Sequence, residues 1–258
     1  MEFIDSHAHL YLEDFADDLD QVVKRAQEVG VSQVLLPNID CSTLPSLIHT
    51  SQSYPLFFKP MIGLHPTSVG EDYAQELAHL ELELAKPSVD YIAIGEIGLD
   101  LYWDKTYKEQ QVEAFKTQLR WSIKYKLPVV IHSREAYGLL ESILSDQEFK
   151  QAYGVIHSFT GLESDLDLFL PLDKWYIGIN GIVTFKNSQL STYLKKIPID
   201  RLLIETDSPY LTPEPYRGRR NESKYLLYTL QKLAEIYQIS PTEMAQYTKK
   251  NTLKLFRI

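Results

Sequence analysis

Short apolar, β-branched runs recur along the chain, each followed by a polar or Gly/Pro-containing turn and then an amphipathic stretch. Eight of these runs read as strands, at 2–6, 32–36, 57–63, 91–95, 128–131, 154–156, 175–179 and 201–205. Between them, 14–29 places Phe15, Leu19, Val22, Val23 and Ala26 on one helical face, and 107–125 does the same with Val112, Phe115, Leu119 and Ile123. Residues 72–85 and 134–144 read as helices on the same spacing, and two more, 224–237 and 241–255, close the chain. Ser240, before Pro241 and with Glu243 close behind, has the form of an N-cap followed by proline at the first helical position.

Strict alternation of strand and helix predicts a parallel sheet with right-handed crossovers. An open doubly wound sheet usually carries a glycine-rich phosphate loop after its first strand, where this chain has Ser6-His7-Ala8-His9. Eight repeats suit a closed ring better. The expected fold is an α/β TIM-type (β/α)8 barrel, one domain over 1–258, closed by C-terminal helices.

Composition narrows the function classes. Hydrophobic residues are 44% and charged residues 24%, which supports a sizeable ordinary core. No apolar run approaches the roughly 20 residues of a membrane helix, so no membrane partner is expected. The N-terminus lacks the basic head and apolar stretch of a signal peptide, and the lone Cys41 excludes an internal disulfide or a cysteine-rich zinc site. The expected compartment is the cytoplasm, and no obligate protein partner is foreseen. A net charge of −9 argues against an extended DNA-coating surface but permits an enzyme that grips a few phosphates. Bound divalent cations would reverse the sign of the local field.

In barrels the chemistry sits at the C-terminal ends of strands. His7 and His9 end the first predicted strand, Glu96 the fourth, His132 the fifth and His157 the sixth, while Asp207 follows the eighth. His65, after the third, brings five of the seven histidines to strand ends, leaving His49 and His79 in helical stretches as surface residues. Residues i and i+2 of a strand point the same way, so His7 and His9 can chelate one ion. Any one strand-end histidine is more often structural than ligating. Four imidazoles and two carboxylates on one face are instead the inventory for two divalent ions. Glu96, on a central strand, is the expected bridging carboxylate, and Asp207 both a ligand and the base that orients a water.

Other polar residues suggest substrate contacts. His65 lacks an obvious metal partner and reads as a substrate-side donor, with a structural or supporting role as the alternative. Arg134 stands two residues past His132, and Arg217 and Arg220 occupy a loop stiffened by Pro213 and Pro215, so all three are candidates for phosphate oxygens. A solvated basic loop is the alternative for the last two. Glu205 is expected to fix a ligand or a substrate arginine from behind. Tyr102, Trp103, Tyr107, Phe159 and Tyr210 lie near the mouth, either to stack bases or to pack the closing helices.

The ordered set Asp5-Ser6-His7-Ala8-His9-Leu10, Gly63-Leu64-His65-Pro66, Gly95-Glu96-Ile97-Gly98-Leu99-Asp100, Ile131-His132-Ser133-Arg134, His157-Ser158-Phe159-Thr160-Gly161 and Glu205-Thr206-Asp207-Ser208-Pro209-Tyr210-Leu211 resembles the TatD-type metal-dependent hydrolases of the amidohydrolase-like barrels. The likeness runs from Phe3 to Phe256 and extends to the Arg-Gly-x-x-Asn segment at Arg217. It implies a TIM-type barrel, a one- or two-metal centre and, in characterised relatives, nuclease activity on DNA. Carried over by position, it assigns His7, His9, Glu96, His132, His157 and Asp207 as ligands. Many other amidohydrolases bridge their metals with a carbamylated lysine, and no lysine lies near this strand end. Ser158 departs from the cysteine of many relatives, with little effect on the metal expected, since a strand would turn it away from His157.

The leading expectation is therefore a deoxyribonuclease of 3′-to-5′ exonuclease type, acting on single strands or 3′ ends. A water activated by two Mg²⁺, Mn²⁺ or Zn²⁺ ions would attack phosphorus. The alternatives are an esterase or amidase acting on a carbonyl, such as an aminoacyl-tRNA or a small molecule, and a non-catalytic metal-binding scaffold.

Overall fold

The computed structural model describes residues 1–103 and 105–258. Eight strands follow in order: β1 Phe3–Asp5, β2 Val31–Leu36, β3 Phe58–Pro60, β4 Ile94–Asp100, β5 Val129–Arg134, β6 Gly154–Ile156, β7 Trp175–Ile179 and β8 Leu202–Ile204. The helices are α1 Leu19–Val29, α2 Leu44–Ser53, α3 Tyr73–Ala85, α4 Lys108–Tyr125, α5 Tyr137–Leu144, α6 Glu163–Phe169, α7 Leu190–Tyr193, α8 Leu226–Tyr237 and α9 Pro241–Phe256. All strand pairs are parallel, in two runs, β1-β2-β3 and β4 through β8. Single bridges join the runs into a ring, Ile62 to Ile94 at one seam and Ala8 to Ser208 at the other. The architecture is the expected TIM-type α/β barrel.

One side chain from each strand region fills the ring: Ile4, Leu35, Met61, Ala93, Val130, Val155, Tyr176 and Leu203, together with Leu255 and Phe256 at the end of α9. The last helix is thus a plug, with its apolar end inserted beneath the strands. Ser240 caps α9 through the Glu243 N–H at 3.2 Å, and the Glu243 carboxylate returns to the Ser240 N–H at 2.9 Å. A second, larger cluster packs the outer strand faces against the helices.

The pattern misplaces several boundaries. The fourth strand runs to Asp100 and the fifth to Arg134, past the residues taken as their ends, because the two pair on through Gly98↔His132 and Asp100↔Arg134. Gly98 has φ +142° and so close an approach to the His132 carbonyl that a Cβ would collide with it. Arg134 belongs to a strand, and α5 starts only at Tyr137. The stretch 14–29 is a 3-10 turn, Glu13–Phe15, followed by α1. α2, α6 and α7 lie in segments where no helix was assigned. α2 carries proline in its first turn and buries only Leu44, Leu47, Thr50 and Ser51, a weak periodic signal. His49 and His79 are exposed on α2 and α3, as expected.

Candidate metal centre

Period two carries the interior lining upward into polar residues. Two positions beyond Val130, Val155 and Leu203 stand His132, His157 and Glu205. Two beyond Tyr176 is Gly178, where a Cβ would lie 2.5 Å from Glu205 Oε2. Any larger residue there would displace that buried carboxylate.

Glu96 is the hub. Its Oε2 lies 3.1 Å from His7 Nε2 and 3.5 Å from His9 Nε2. Its Oε1 faces the other side, 2.7 Å from His157 Nε2, 3.1 Å from His132 Nδ1 and 3.3 Å from His65 Nε2. Asp207 Oδ1 stands 3.7 Å from both His7 Nε2 and His9 Nε2. All six residues expected to hold metal, drawn from both ends of the chain, therefore converge.

The hydrogen bonds behind each ring define which nitrogen is free. Tyr11 Oη donates to the Pro37 carbonyl at 2.6 Å, so it accepts from His9 Nδ1 at 3.0 Å, leaving His9 Nε2 bare toward the centre. Asp100 Oδ2 takes the proton of His132 Nε2 at 2.9 Å, which turns the lone pair of Nδ1 inward. Glu205 Oε1 lies 3.4 Å from His157 Nδ1, a charge contact rather than a hydrogen bond. His65 is arranged the other way. Its Nδ1 accepts the Thr67 N–H at 3.2 Å, so its proton sits on Nε2 and points at Glu96. His65, which showed no obvious metal partner in the sequence, thus stands in direct contact with Glu96.

Burial and charge oppose each other here. Burial would raise Glu96, but the surrounding His157, His65 and His7 hold its carboxyl well below the usual range. Burial would lower His157, yet Glu96 and Glu205 hold it well above the ordinary histidine value. His7 is depressed by burial and by the neighbouring His157, and His65 by burial, while burial raises Asp207. The carboxylates thus favour positive charge close beside them, the demand that holds a proton on His157.

A divalent cation fits that demand. Both ring nitrogens of His157 are buried without a hydrogen-bond partner, and Glu96 Oε1 stands only 2.7 Å from Nε2. Donor atoms of His7, His9 and Asp207 lie within 4.8 Å of one another, as do those of His65, Glu96 and His132, and of His7, His157 and Glu205. The donors are imidazole nitrogens and carboxylate oxygens, the set that suits zinc or manganese.

Four further residues support this arrangement and carry no spacing signal of their own: Asp5, Tyr11, Asp100 and Asn221. Asp5 is fully buried and accepts from Thr206 N at 2.9 Å, Thr206 Oγ1 at 2.7 Å and Ser223 Oγ at 2.6 Å, tying β1 to the turn that carries Asp207. Burial pushes its carboxyl up to about 7 against those hydrogen bonds. Asn221 Nδ2 donates to the Thr206 carbonyl at 2.9 Å and the Tyr210 carbonyl at 2.6 Å, bracketing Asp207. Asp5, Asp100 and Asn221 fall within the family-like segments, whereas Tyr11 lies just beyond one.

The substrate-side expectations divide. Arg220 forms a two-pronged pair with Asp18, 2.8 Å on each side, and lies over the Phe15 ring. It braces α1 against the loop after β8, so its guanidinium, expected at a phosphate, is engaged by Asp18. Arg217 stacks 3.7 Å over Phe185 and Arg134 3.7 Å over Tyr102, and neither guanidinium has a carboxylate or carbonyl partner among the described residues. Glu205 touches His157 and no arginine among the described residues. Ser158 lies beyond β6 with φ +49°, not within the strand. Its N–H donates to Glu205 and its hydroxyl accepts from Asn180, so it shares the carboxylate that faces His157. Phe159 is buried, whereas Tyr210 is 54% exposed.

No helix among the described residues is long and apolar enough to cross a membrane. The family model described as TatD related DNase matches residues 4–257. An uncharacterized metal-dependent hydrolase of Bacillus subtilis, YabD, is 36% identical over 255 residues, 98% of each chain. The protein of Edwardsiella piscicida named 3′-5′ ssDNA/RNA exonuclease TatD is 33% identical over 250 residues, 95% of each. The crystal structure of YjjV, a TatD homologue from Escherichia coli, superposes with a TM-score of 0.92 at 28% identity, over 99% of this chain and 98% of that one. A TatD-family hydrolase from Entamoeba histolytica gives 0.88 at 26%, over 99% and 98%. With the fold, the converging donor set and these relatives in agreement, the chain belongs to the TatD-related DNase family and is a metal-dependent hydrolase.

Proposed function

We propose that this hydrolase is a deoxyribonuclease of 3′-to-5′ exonuclease type that uses two divalent ions, with His7, His9, Glu96, His132, His157 and Asp207 as their ligands. The observation that carries the reading is the split environment of Glu96, one oxygen toward His7 and His9 and the other toward His132 and His157. Mg²⁺, Mn²⁺ or Zn²⁺, when bound, lower the pKa of a shared water and neutralise charge on a phosphate. The chain's own residues do the rest. Asp207, partly exposed beside His7 and His9, accepts the proton of the attacking water. His65 Nε2–H offers a hydrogen bond on the Glu96 side. Arg134 and Arg217, whose guanidinium edges have no protein anion among the described residues, hold flanking phosphates. The relative named as a 3′-5′ ssDNA/RNA exonuclease supports nucleic acid as the substrate class.

The test is hydrolysis of a labelled single-stranded DNA oligonucleotide by metal-stripped protein, by the same protein with Mg²⁺, Mn²⁺ or Zn²⁺ restored, and by an Asp207→Ala, Glu96→Ala double variant. Metal-dependent shortening from the 3′ end, lost in the variant, is the expected result. Binding of two ions with no cleavage under any metal would overturn the reading and direct attention to carbonyl esters and amides.

A further inference from the structure

Asp100 closes β4 and uses both of its oxygens. Oδ2 takes the His132 Nε2 proton at 2.9 Å, while Oδ1 accepts the N–H groups of Tyr102 at 3.0 Å and Trp103 at 3.3 Å. The carboxylate that orients one imidazole of the centre thereby also fixes the start of the loop carrying two aromatic rings. Those rings meet edge to face, 4.9 Å between centroids at 86°. Arg134, two residues past His132 on β5, lies 3.7 Å over Tyr102 and 5.1 Å from Trp103.

Neither ring is a core residue. Trp103 is 70% exposed and Tyr102 48%, against 4% for each of Trp121 and Trp175. A guanidinium stacked over an aromatic ring uses its face for that contact and keeps its in-plane N–H groups for an oxyanion. Arg134 also lines a cavity of about 540 Å³, with Ser133, Tyr137 and Thr160. Trp103 borders a second of about 260 Å³, with Pro66, Thr67 and Tyr107, beside the loop of His65. An exposed indole face, an oxyanion donor next to it and a hydrolytic centre one hydrogen-bonded residue away have the chemistry of one nucleotide unit.

We propose that Trp103 is a nucleobase-stacking platform and that Arg134, held over Tyr102, grips the neighbouring phosphate. This deepens, and rests on, the nuclease reading above. Stacking needs a free base face, so the platform selects unpaired strands by shape and tolerates any base. A duplex end must fray before it can engage.

The experiment uses the metal-loaded full chain and a phosphorothioate-linked octathymidylate that resists hydrolysis, alongside the same strand made abasic at its three 3′-terminal positions. Binding is read by anisotropy of a 5′ dye and by intrinsic fluorescence, to which Trp103 is the exposed contributor. The intact strand is expected to quench the indole and the abasic strand not to. Trp103→Ala should weaken binding of the intact strand about 10-fold, on the usual scale of base–aromatic stacking, and leave the abasic strand unaffected, while Trp103→Phe stays within about 3-fold of the parent. Equal binding of intact and abasic strands, with Trp103→Ala matching the parent and ordinary DNA still cleaved, would overturn the platform and leave the nuclease reading standing. Failure of the parent to bind or cleave any strand would overturn both.

Discussion

Glu96 Oε1 lies 2.7 Å from His157 Nε2 while Glu96 Oε2 lies 3.1 Å from His7 Nε2, so one carboxylate faces imidazoles from β6 and from the end of β1 at once. The bridging role proposed for Glu96 would make it more sensitive than any single histidine. Glu96→Gln keeps the size but loses the charge, and it is expected to reduce bound metal from two ions per chain to one or fewer. Turnover should fall by roughly 1,000-fold or more, since a centre short of one cation would lose much of its power to activate water. Elemental analysis alongside oligonucleotide cleavage checks this. Two tightly held ions in the variant would be the contrary result.

Asp100 meets the proposed centre through His132, at 2.9 Å. Asp100→Asn is expected to weaken metal binding about 10- to 100-fold, the scale seen when a carboxylate behind a ligating histidine is removed. Chelator competition gives the affinity directly. Excess metal should restore most of the activity, which a folding defect would not allow.

Arg217 and Arg220 should separate cleanly. Arg217→Ala is expected to raise KM severalfold with little change in Tm. Arg220→Ala breaks the pair with Asp18 and should cost about 1 kcal/mol, a Tm loss of roughly 2–4 °C for a chain of this size. The hydrogen bonds from Arg220 are the largest influence holding the Asp18 carboxyl below its usual value. A depressed carboxyl contributes stability above its unfolded pKa and loses it as pH falls through the folded one. The gap between parent and variant should therefore be constant near neutrality and close below about pH 4, which chemical denaturation at a series of pH values would follow.

Cys41 should be inert. Burial, with the Glu76 side chain beside it, pushes its thiol up to about 12. At pH 8.5 the folded protein is expected to react with iodoacetamide at least about 100-fold more slowly than a free cysteine, with the difference abolished in denaturant. Rapid alkylation of the native chain would contradict this environment.

The sequence by itself determined what short-range periodicity encodes. The eightfold alternation of strand and helix, the N-cap at Ser240, the two-residue spacing of His7 and His9 and the carboxylates and histidines at strand ends are local patterns, each governed by a repeat of 2 or 3.6 residues. Those patterns were enough to nominate the six residues that converge. Tertiary structure decided the pairings. Arg220 finds Asp18 from 202 positions away, and nothing in its loop distinguishes it from Arg217, which finds only an aromatic face. His132 meets Asp100 because β4 and β5 pair beyond the residues whose hydrophobicity marks them as strands, and His65 turns its proton to Glu96 because Thr67 occupies its other nitrogen. A side chain's role at this centre depends on which atom faces it across the ring, and in a closed barrel that neighbour is set by strand register and closure rather than by spacing along the chain.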